Sequence, residues 1–495
     1  MDKVVWLSNP EWLDPTNSHV FIGGSKQNDI KEIWKFSCGT NCYWRITHLN
    51  GYVQEGDESK IVVVTSCLAE ETSRDTLAYL KNVAIINPLG KDRDHEGILA
   101  DIYAQVEFVD TKSAAACYLN PKAHKSKCLT HGDLIYPFGC NASQKKAVAA
   151  AFEHQMSVIQ GPPGTGKTQT ILNIIANIVC QGKTVLVVSN NNSATTNVME
   201  KLEKYGTSFI VAPLGSKENK EAFIAHQPSV PTECGTWGMP MSDSINNRRR
   251  LHATSQQLDK VYDLQNERAV LLQEQQAVEL EWKHFCMDNR LDNNAVGRNH
   301  ISSKQIISLW LEFQAYTNGE EKPEPTNWFS KWKEKIKWWW MKWICRHRLH
   351  IVSLFDKNDL TPLIKELQTL YYQNRLEEIK HRIALIGNRL ALYDSKDLTE
   401  TLTGISMSLF KSTLCTYYAK HERMTFADTK DMRRYGKDFM QQYPVVLSTT
   451  FSARSCMFTD KPYDYIIMDE ASQVSIDTGA LALTCATNAV IVGDV

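Results

Sequence analysis

The sequence predicts an α/β fold: a parallel sheet, split by a large helical insertion and preceded by a small mixed α/β domain. Three observations carry this reading. Short apolar runs, "MSVIQ", "TVLVVS" and "SFIVAP", end at or beside Gly, Pro or Asn, as fully buried parallel strands do. Similar runs, "PVVLSTTF", "YDYIIMD" and "AVIVGD", return only after residue 440. Between the two sets the chain is polar, with helical periodicity.

Residues 1–130 come first. "EIWKFSC", "CYWRITHL" and "SKIVVVTSC" read as strands separated by Gly, Asn and Asp turns. "EETSRDTLAYLKNVAII" and "HEGILADIYAQVEFV" read as helices running into strands. The sheet domain is expected over 131–220 and 441–495. In it "KTQTILNIIANIVCQG" is a helix by its 3.6 period, with Gly182 as its C-terminal stop. The insertion is expected over 221–440. Leu264, Leu271, Val278 and Phe285 recur every seven residues, and 360–394 forms a second amphipathic stretch. The repeat is short and imperfect, so it predicts an antiparallel, coiled-coil-like hairpin and not an extended coiled coil. Its two ends must meet on one sheet.

Bulk composition narrows the function classes. The 495 residues are 43% hydrophobic and 22% charged, with net charge -1. Such a chain is an ordinary globular protein and not a polycation, so nucleic-acid binding has to come from local patches. Thirteen scattered cysteines and no leader-like apolar run imply a reducing, cytoplasmic setting. No membrane partner is expected.

"GPPGTGKT" matches G-x-x-x-x-G-K-[ST] from Gly161 to Thr168, after a strand and opening a helix. Gly161, Gly164 and Gly166 let the backbone turn around phosphate oxygens, and the helix N-terminus adds a positive field. Lys167 suits the β- and γ-phosphates, and Thr168 suits Mg²⁺. The nucleotide-binding set is Gly161, Pro162, Gly164, Thr165, Gly166, Lys167, Thr168 and Gln169. "YIIMDE" delivers Asp469 at the end of a strand, to hold Mg²⁺, and Glu470 beside it as base for the attacking water. Lys167, Asp469 and Glu470 are the catalytic candidates. Upstream, "NASQKKAV" starts a helix capped by Asn141 or Ser143. Gln144 offers an amide that can read both edges of adenine, with Phe138 or Tyr136 nearby. A solvated Gln at a helix start is the equal alternative.

With these pieces the sequence resembles the superfamily 1 helicases, in the branch of senataxin and the nonsense-decay helicases. "NASQKKAV" is similar to that family's Q motif, "GPPGTGKT" to motif I and "VLVVSNNNSATTNV" to motif Ia. "VVLSTTFSARS" resembles the strand-loop motif before motif II, "DEASQ" resembles motif II, and "IVGD" the start of motif III. The resemblance implies a RecA-like P-loop NTPase domain: an ATP-dependent helicase using ATP and Mg²⁺ on single-stranded DNA or RNA. In that family motif Ia and the strand-loop motif line the nucleic-acid groove. Carried over by position, Ser189, Asn190, Asn191, Thr449, Thr450 and Ser452 are candidates to touch phosphate or sugar.

In the family, motif III continues into a Gln-Leu element, and a second RecA-like domain brings arginine fingers. The chain stops one residue after Asp494. It is therefore expected to be incomplete, needing a second RecA-like domain or subunit. An arginine finger is worth about 10³–10⁵ in turnover, so hydrolysis by the first domain alone is expected to be slow. The alternative is a nucleotide-gated switch ATPase in which ATP orders the insertion for a protein partner, without unwinding.

Two features stand outside this scheme. "WFSKWKEKIKWWWMKWICRHR", Trp328 to Arg348, holds six Trp, and its Lys and Arg exceed its acids by six. It suits base stacking, a membrane interface, or a helix that buries Trp332, Ile336, Trp339 or Trp340, and Trp343 in the insertion. The last reading is the simplest. Cys38 and Cys42, or His124, Cys128 and His131, are metal-ligand types without a tidy four-ligand zinc set.

Overall fold

A computed structural model describes residues 8–38, 41–87, 97–123, 133–291, 301–317, 328–349, 351, 359–419 and 422–494. The chain separates into two compact units, Met1–Ser255 with Thr399–Val495, and Gln256–Leu398.

The first unit is built on six parallel strands: β1 (Met156–Gln160), β2 (Val185–Ser189), β3 (Val211–Pro213), β4 (Val445–Thr449), β5 (Tyr463–Asp469) and β6 (Ala486–Gly493). Their order across the sheet is β3-β4-β2-β5-β6-β1. This is a RecA-like α/β domain. Val185 of β2 lies between Val445 of β4 and Tyr465 of β5, so strands from both ends of the chain alternate in one layer. That adjacency is why the insertion's ends must return to the same place.

Helix α1 (Ala142–Glu153) leads into β1, and α2 (Lys167–Cys180) and α3 (Asn192–Lys204) connect β1 to β2 and β2 to β3. Ile171, Ile174, Ile175 and Ile178 of α2 are all fully buried. Each such side chain contributes about 1.5–3 kcal/mol on burial. Gly182 adopts φ +67°, as expected of a residue that stops a helix.

The N-terminal strands form two antiparallel sheets, Ser8–Leu13 with Ile30–Cys38, Asn41–His48 and Val53–Asp57, and Ser25–Gln27 with Ser18–Ile22 and Ile61–Thr65. Val20, Ile33, Trp44, Ile46 and Ile61 are their shared core. The next helices depart from the sequence expectation. Leu77, Leu80, Ala84, Leu99 and Tyr103 join the same apolar cluster as Ile466 and Ala489 of the parallel sheet. The Tyr103 hydroxyl donates to the Asp477 carbonyl at 2.6 Å. Glu71–Ile86, Ile98–Ala104 and Ala114–Leu119 therefore cover the central sheet. "VEFV", expected as a strand after the second of these helices, is not one; only a single bridge, Ser66 to Asp110, follows it.

The second unit is narrower than the 221–440 expected for the insertion. Phe223 packs edge-on against Phe439 and Tyr443, which ties the flanks of that interval to the sheet layer. The long helices are α4 (Met241–Asn289), α5 (Ser303–Thr317), α6 (Trp328–His347), α7 (Thr361–Leu390) and α8 (Ser395–Tyr418). Leu271 and Val278 of α4 pack with Ile379 and Ile386 of α7, and Leu264 and Leu390 join them. Arg382 pairs with Glu267 at 2.9 Å, and Arg375 pairs with Glu274. As one partner number rises the other falls, so the two helices run antiparallel.

On α6 the expected inward face is reversed. Met341 and Cys345 are buried, whereas Trp332, Ile336, Trp339, Trp340 and Trp343 are exposed. Two apolar stripes compete on this helix, and the slimmer one packs against Phe313 and Leu367. His124, Cys128 and His131 lie outside the described residues; among the described ones, no group of three metal-ligand side chains occurs.

Candidate functional site: a phosphate loop facing two carboxylates

The site assembles at the carboxyl ends of β1, β6, β5 and β2. Between β1 and α2 the loop turns through Gly164 at φ +84° and Gly166 at φ +83°, left-handed conformations that disfavour any side chain. At Gly166 a Cβ would also collide with the Gln144 amide. The Gly161 amide donates to the Gly493 carbonyl at 3.3 Å, pinning the loop's start to the end of β6. Thr165 closes the turn, its hydroxyl donating to the Pro162 carbonyl at 2.8 Å. Thr168, half-buried, stands in the first turn of α2.

The Lys167 ammonium donates to the Gly161 carbonyl at 2.9 Å and pairs with the Asp494 carboxylate. Asp494 is a member of the site that the sequence reading placed in a motif without giving it a role. The pairing follows from the sheet, because β6 lies next to β1 and ends where the loop begins.

Asp469 ends β5 and Glu470 follows it. Met468 registers with Ile491 of β6, and Ile491 with Val158 of β1, so β6 alone separates the carboxylates from the loop strand. Asp469 is buried, and its carboxylate accepts from the Glu470 amide at 2.9 Å. Burial pushes its carboxyl up from the ordinary value, while the Glu470 amide and the Lys167 ammonium pull it back. Glu470 itself sits at φ +53°, ψ +40°, left-handed for a residue with a full side chain. Such backbone strain concentrates at functional sites.

Gln144 is neither solvated nor free. Its side-chain oxygen accepts from the Asn141 amide and its backbone donates to Asn141, each at 2.9 Å, a reciprocal cap on α1. Its amide nitrogen faces the carbonyls of Thr165 at 3.1 Å and Gly166 at 3.4 Å, and Gln169 at 3.3 Å. Gln169 reaches on to the Phe138 carbonyl at 2.5 Å. Phe138 and Tyr136 are both buried.

A second brace was missed by sequence reasoning. Asn173 and Asn177 are buried on α2, one turn apart. Asn177 accepts from the Ile135 amide at 2.9 Å and donates to its carbonyl at 2.7 Å. Asn173 accepts from Phe138 at 3.1 Å and donates to Gly139 at 2.8 Å. The strap 135–139 is thus held along the helix that opens at the phosphate loop. Two amides inside the apolar run "ILNIIANIV" were the signal.

The nucleic-acid candidates divide by exposure. Ser189 and Thr450 are buried, and Thr450 donates through its backbone to Ser189 at 3.2 Å. Asn190 and Asn191 are exposed and reach Gln473, each at 3.2 Å. Thr449 and Ser452 are half-buried, with the Ser452 amide donating to the Thr449 hydroxyl at 3.2 Å. Gln473 belongs to the turn after Glu470, so the two halves of the edge are linked through it.

The family model of the AAA domain matches residues 139–495, more than half of the chain and all of this edge. The chain belongs to this AAA domain family, within the superfamily 1 helicases. A 71-residue stretch is 42% identical to DNA polymerase alpha-associated DNA helicase A of Schizosaccharomyces pombe, covering 14% of this chain and 11% of that protein. DNA-binding protein SMUBP-2 of Mus musculus is 46% identical over 69 residues, 14% of this chain and 7% of the relative. Regulator of nonsense transcripts 1 of Caenorhabditis elegans is 36% identical over 87 residues, 17% and 8% respectively. The matches span about a tenth or less of these relatives' length. The AAA domain accounts for the sheet, the loop and the carboxylate pair together, in a helicase-type motor domain.

The donor set fits Mg·ATP. Two left-handed glycines turn the loop into the N-terminus of α2, a hydroxyl opens that helix, and the lysine's charge acts on a buried carboxylate.

Proposed function

We propose that this AAA domain binds ATP with Mg²⁺ between the phosphate loop and Asp469, and hydrolyses it under the control of single-stranded DNA or RNA. The observation that carries the proposal is the meeting of Lys167, Asp469 and Glu470 at one sheet edge, from stretches three hundred residues apart in sequence.

In this reading the Gly161–Thr168 loop holds the phosphates through its N–H groups and the α2 N-terminus. Lys167 leaves Asp494 to meet the β- and γ-phosphates. Thr168 and Asp469 hold the metal, which when bound neutralises charge on the phosphate oxygens. Glu470 takes the proton of the attacking water. Its backbone amide fixes the Asp469 carboxylate, so base and metal ligand move together. Asn190, Asn191, Thr449 and Ser452 contact phosphate or sugar, while buried Ser189 and Thr450 shape the turns beneath them. Gln473 carries that contact to the carboxylates. A second RecA-like domain or subunit supplies the cation that speeds turnover, in a reducing cytoplasmic setting.

The test is ATP hydrolysis with and without single-stranded DNA and RNA, on this chain and with a second RecA-like domain supplied. Stimulation that Lys167→Ala removes supports the reading. Tight nucleotide binding with no stimulation by any polynucleotide in either form overturns it, and points to the nucleotide-gated switch.

A further inference from the structure

Helix α6 carries two apolar faces, and its own unit uses one. Trp338, Met341, Cys345 and Leu349 recur at three- and four-residue spacing and pack with Phe313 and Leu367. Trp338 meets Phe313 edge-on at 5.5 Å. Trp332, Ile336, Trp339, Trp340 and Trp343 recur at the same spacing on the far side, 53%, 41%, 63%, 54% and 40% exposed. A contiguous stripe of four indoles and an isoleucine is unlike the single apolar residues scattered over ordinary surfaces.

Cations border the stripe. At 3.6 residues per turn, Lys335, Lys342 and Arg346 fall along one edge and Lys337 along the other, and Arg348 follows at the helix's C-terminal end, all exposed. Of these, Lys337 pairs with Glu312 at 2.8 Å. The charge of this face is strongly basic although the whole chain is near neutral.

Aromatic and cationic side chains together fit stacked bases or interfacial lipid, and the ring geometry separates the two. Trp340 and Trp343 lie 5.9 Å apart at 45°, and Trp343 and His347 5.6 Å apart at 39°. These rings lean on one another along the helix, and do not stand parallel with a slot for a base. Ile336 occupies the middle of the stripe, where base stacking needs a ring. Indoles that bury an apolar body beside a polar N–H, with lysine and arginine at the margins, match the boundary between headgroups and acyl chains. The margins match anionic headgroups in charge.

We propose that α6 is an in-plane membrane helix, which docks its exposed indole stripe on an anionic bilayer surface while its other face stays in the protein core. The sequence expectation of no membrane partner rested on the lack of an apolar run long enough to span. A helix lying in the interface needs none. Among the described residues no helix is long and apolar enough to cross a membrane, so the contact is peripheral.

The experiment is co-sedimentation of the full chain with phosphatidylcholine vesicles, with and without phosphatidylglycerol, together with quenching of tryptophan fluorescence by brominated lipid. Binding to the anionic vesicles, weakened by salt, with indole quenching, is expected. Trp332→Ser with Trp339→Ser and Trp343→Ser should lower the bound fraction about tenfold, since each removes an interfacial indole. These side chains are exposed, so circular dichroism and Tm should stay unchanged. Lys335→Gln with Arg346→Gln and Arg348→Gln should erase the preference for anionic vesicles. Lys167→Ala should bind vesicles as the wild type does, which separates this proposal from the nucleotide reading. Absence of wild-type binding or quenching overturns it. So does a triple Trp variant that sediments normally yet no longer binds single-stranded DNA or RNA.

Discussion

The Lys167 ammonium is paired with the Asp494 carboxylate, which joins the first residue of the phosphate-loop helix to the end of the neighbouring strand. Phosphate has to displace that carboxylate to reach the lysine, and the carboxylate repels it. Asp494→Asn keeps the shape and removes the charge. Asp494 is a third exposed, so the gain is discounted to about 1 kcal/mol, or about fivefold tighter Mg·ATP. A titration with fluorescent nucleotide reads it. Weaker binding would show that Asp494 holds Lys167 in its working position.

Glu470→Gln should leave nucleotide affinity intact and lower turnover about 10²–10⁴-fold, the range for a lost general base. Phosphate release at saturating ATP measures it. A parallel loss of affinity would assign Glu470 to binding.

Asp469 predicts a trade between stability and metal binding. Burial raises its pKa, so the folded protein holds that proton more tightly than the unfolded chain. Its stabilising contribution is full below the unfolded value, 3.8, and is lost as pH rises through the folded pKa. Asp469→Asn should therefore raise the Tm without nucleotide, more at neutral pH than close to the unfolded value of 3.8. Each kcal/mol recovered is worth about 2–4 °C in a domain of roughly this size. The same variant should lose the added stabilisation by Mg·ATP. A Tm lowered at both pH values would mean that Asp469 holds the turn to Glu470 together.

The strands of the central sheet were legible because parallel strands buried on both faces read as unbroken apolar runs. The phosphate loop and the Asp469–Glu470 pair were legible because their chemistry fixes residue types at fixed spacing. Three things were not. Leu77 and Leu80 on one helix and Tyr103 on the next lie on ordinary apolar faces, and nothing local says which core those faces enter. Helix α6 has two apolar faces, and period alone cannot choose between Met341 and Trp339. Asn173 and Asn177 read as interruptions in α2, since their partners lie in a strap upstream.

That strap gives a prediction of its own. Asn173→Leu leaves the Phe138 amide and the Gly139 carbonyl without their partner in a buried place. Each orphaned group costs about 1–3 kcal/mol. Urea unfolding should show a loss of about 2–6 kcal/mol from the two groups with an unchanged m-value. Because the strap also receives Gln169, nucleotide affinity should fall with it. Stability lost without any change in affinity would confine the strap to the core.

Gln144 separates two ways of using one amide. As a brace, it caps α1 and ties Thr165, Gly166 and Gln169 into one network. As a reader, it meets the edge of adenine. Gln144→Ala removes both, so stability alone cannot distinguish them; the cap costs about 1 kcal/mol in either case. The base of the nucleotide can. A brace acts through the loop on the phosphates, which ATP and GTP share, so the KM for both should rise by the same factor. A reader acts on the base, so only the preference for ATP over GTP should collapse. The structure spends the side-chain oxygen on Asn141 and the nitrogen on the loop, which leaves the amide engaged at both ends. The expected result is therefore an equal rise, about fivefold for the loss of one net hydrogen bond of about 1 kcal/mol, with the ATP-to-GTP ratio unchanged.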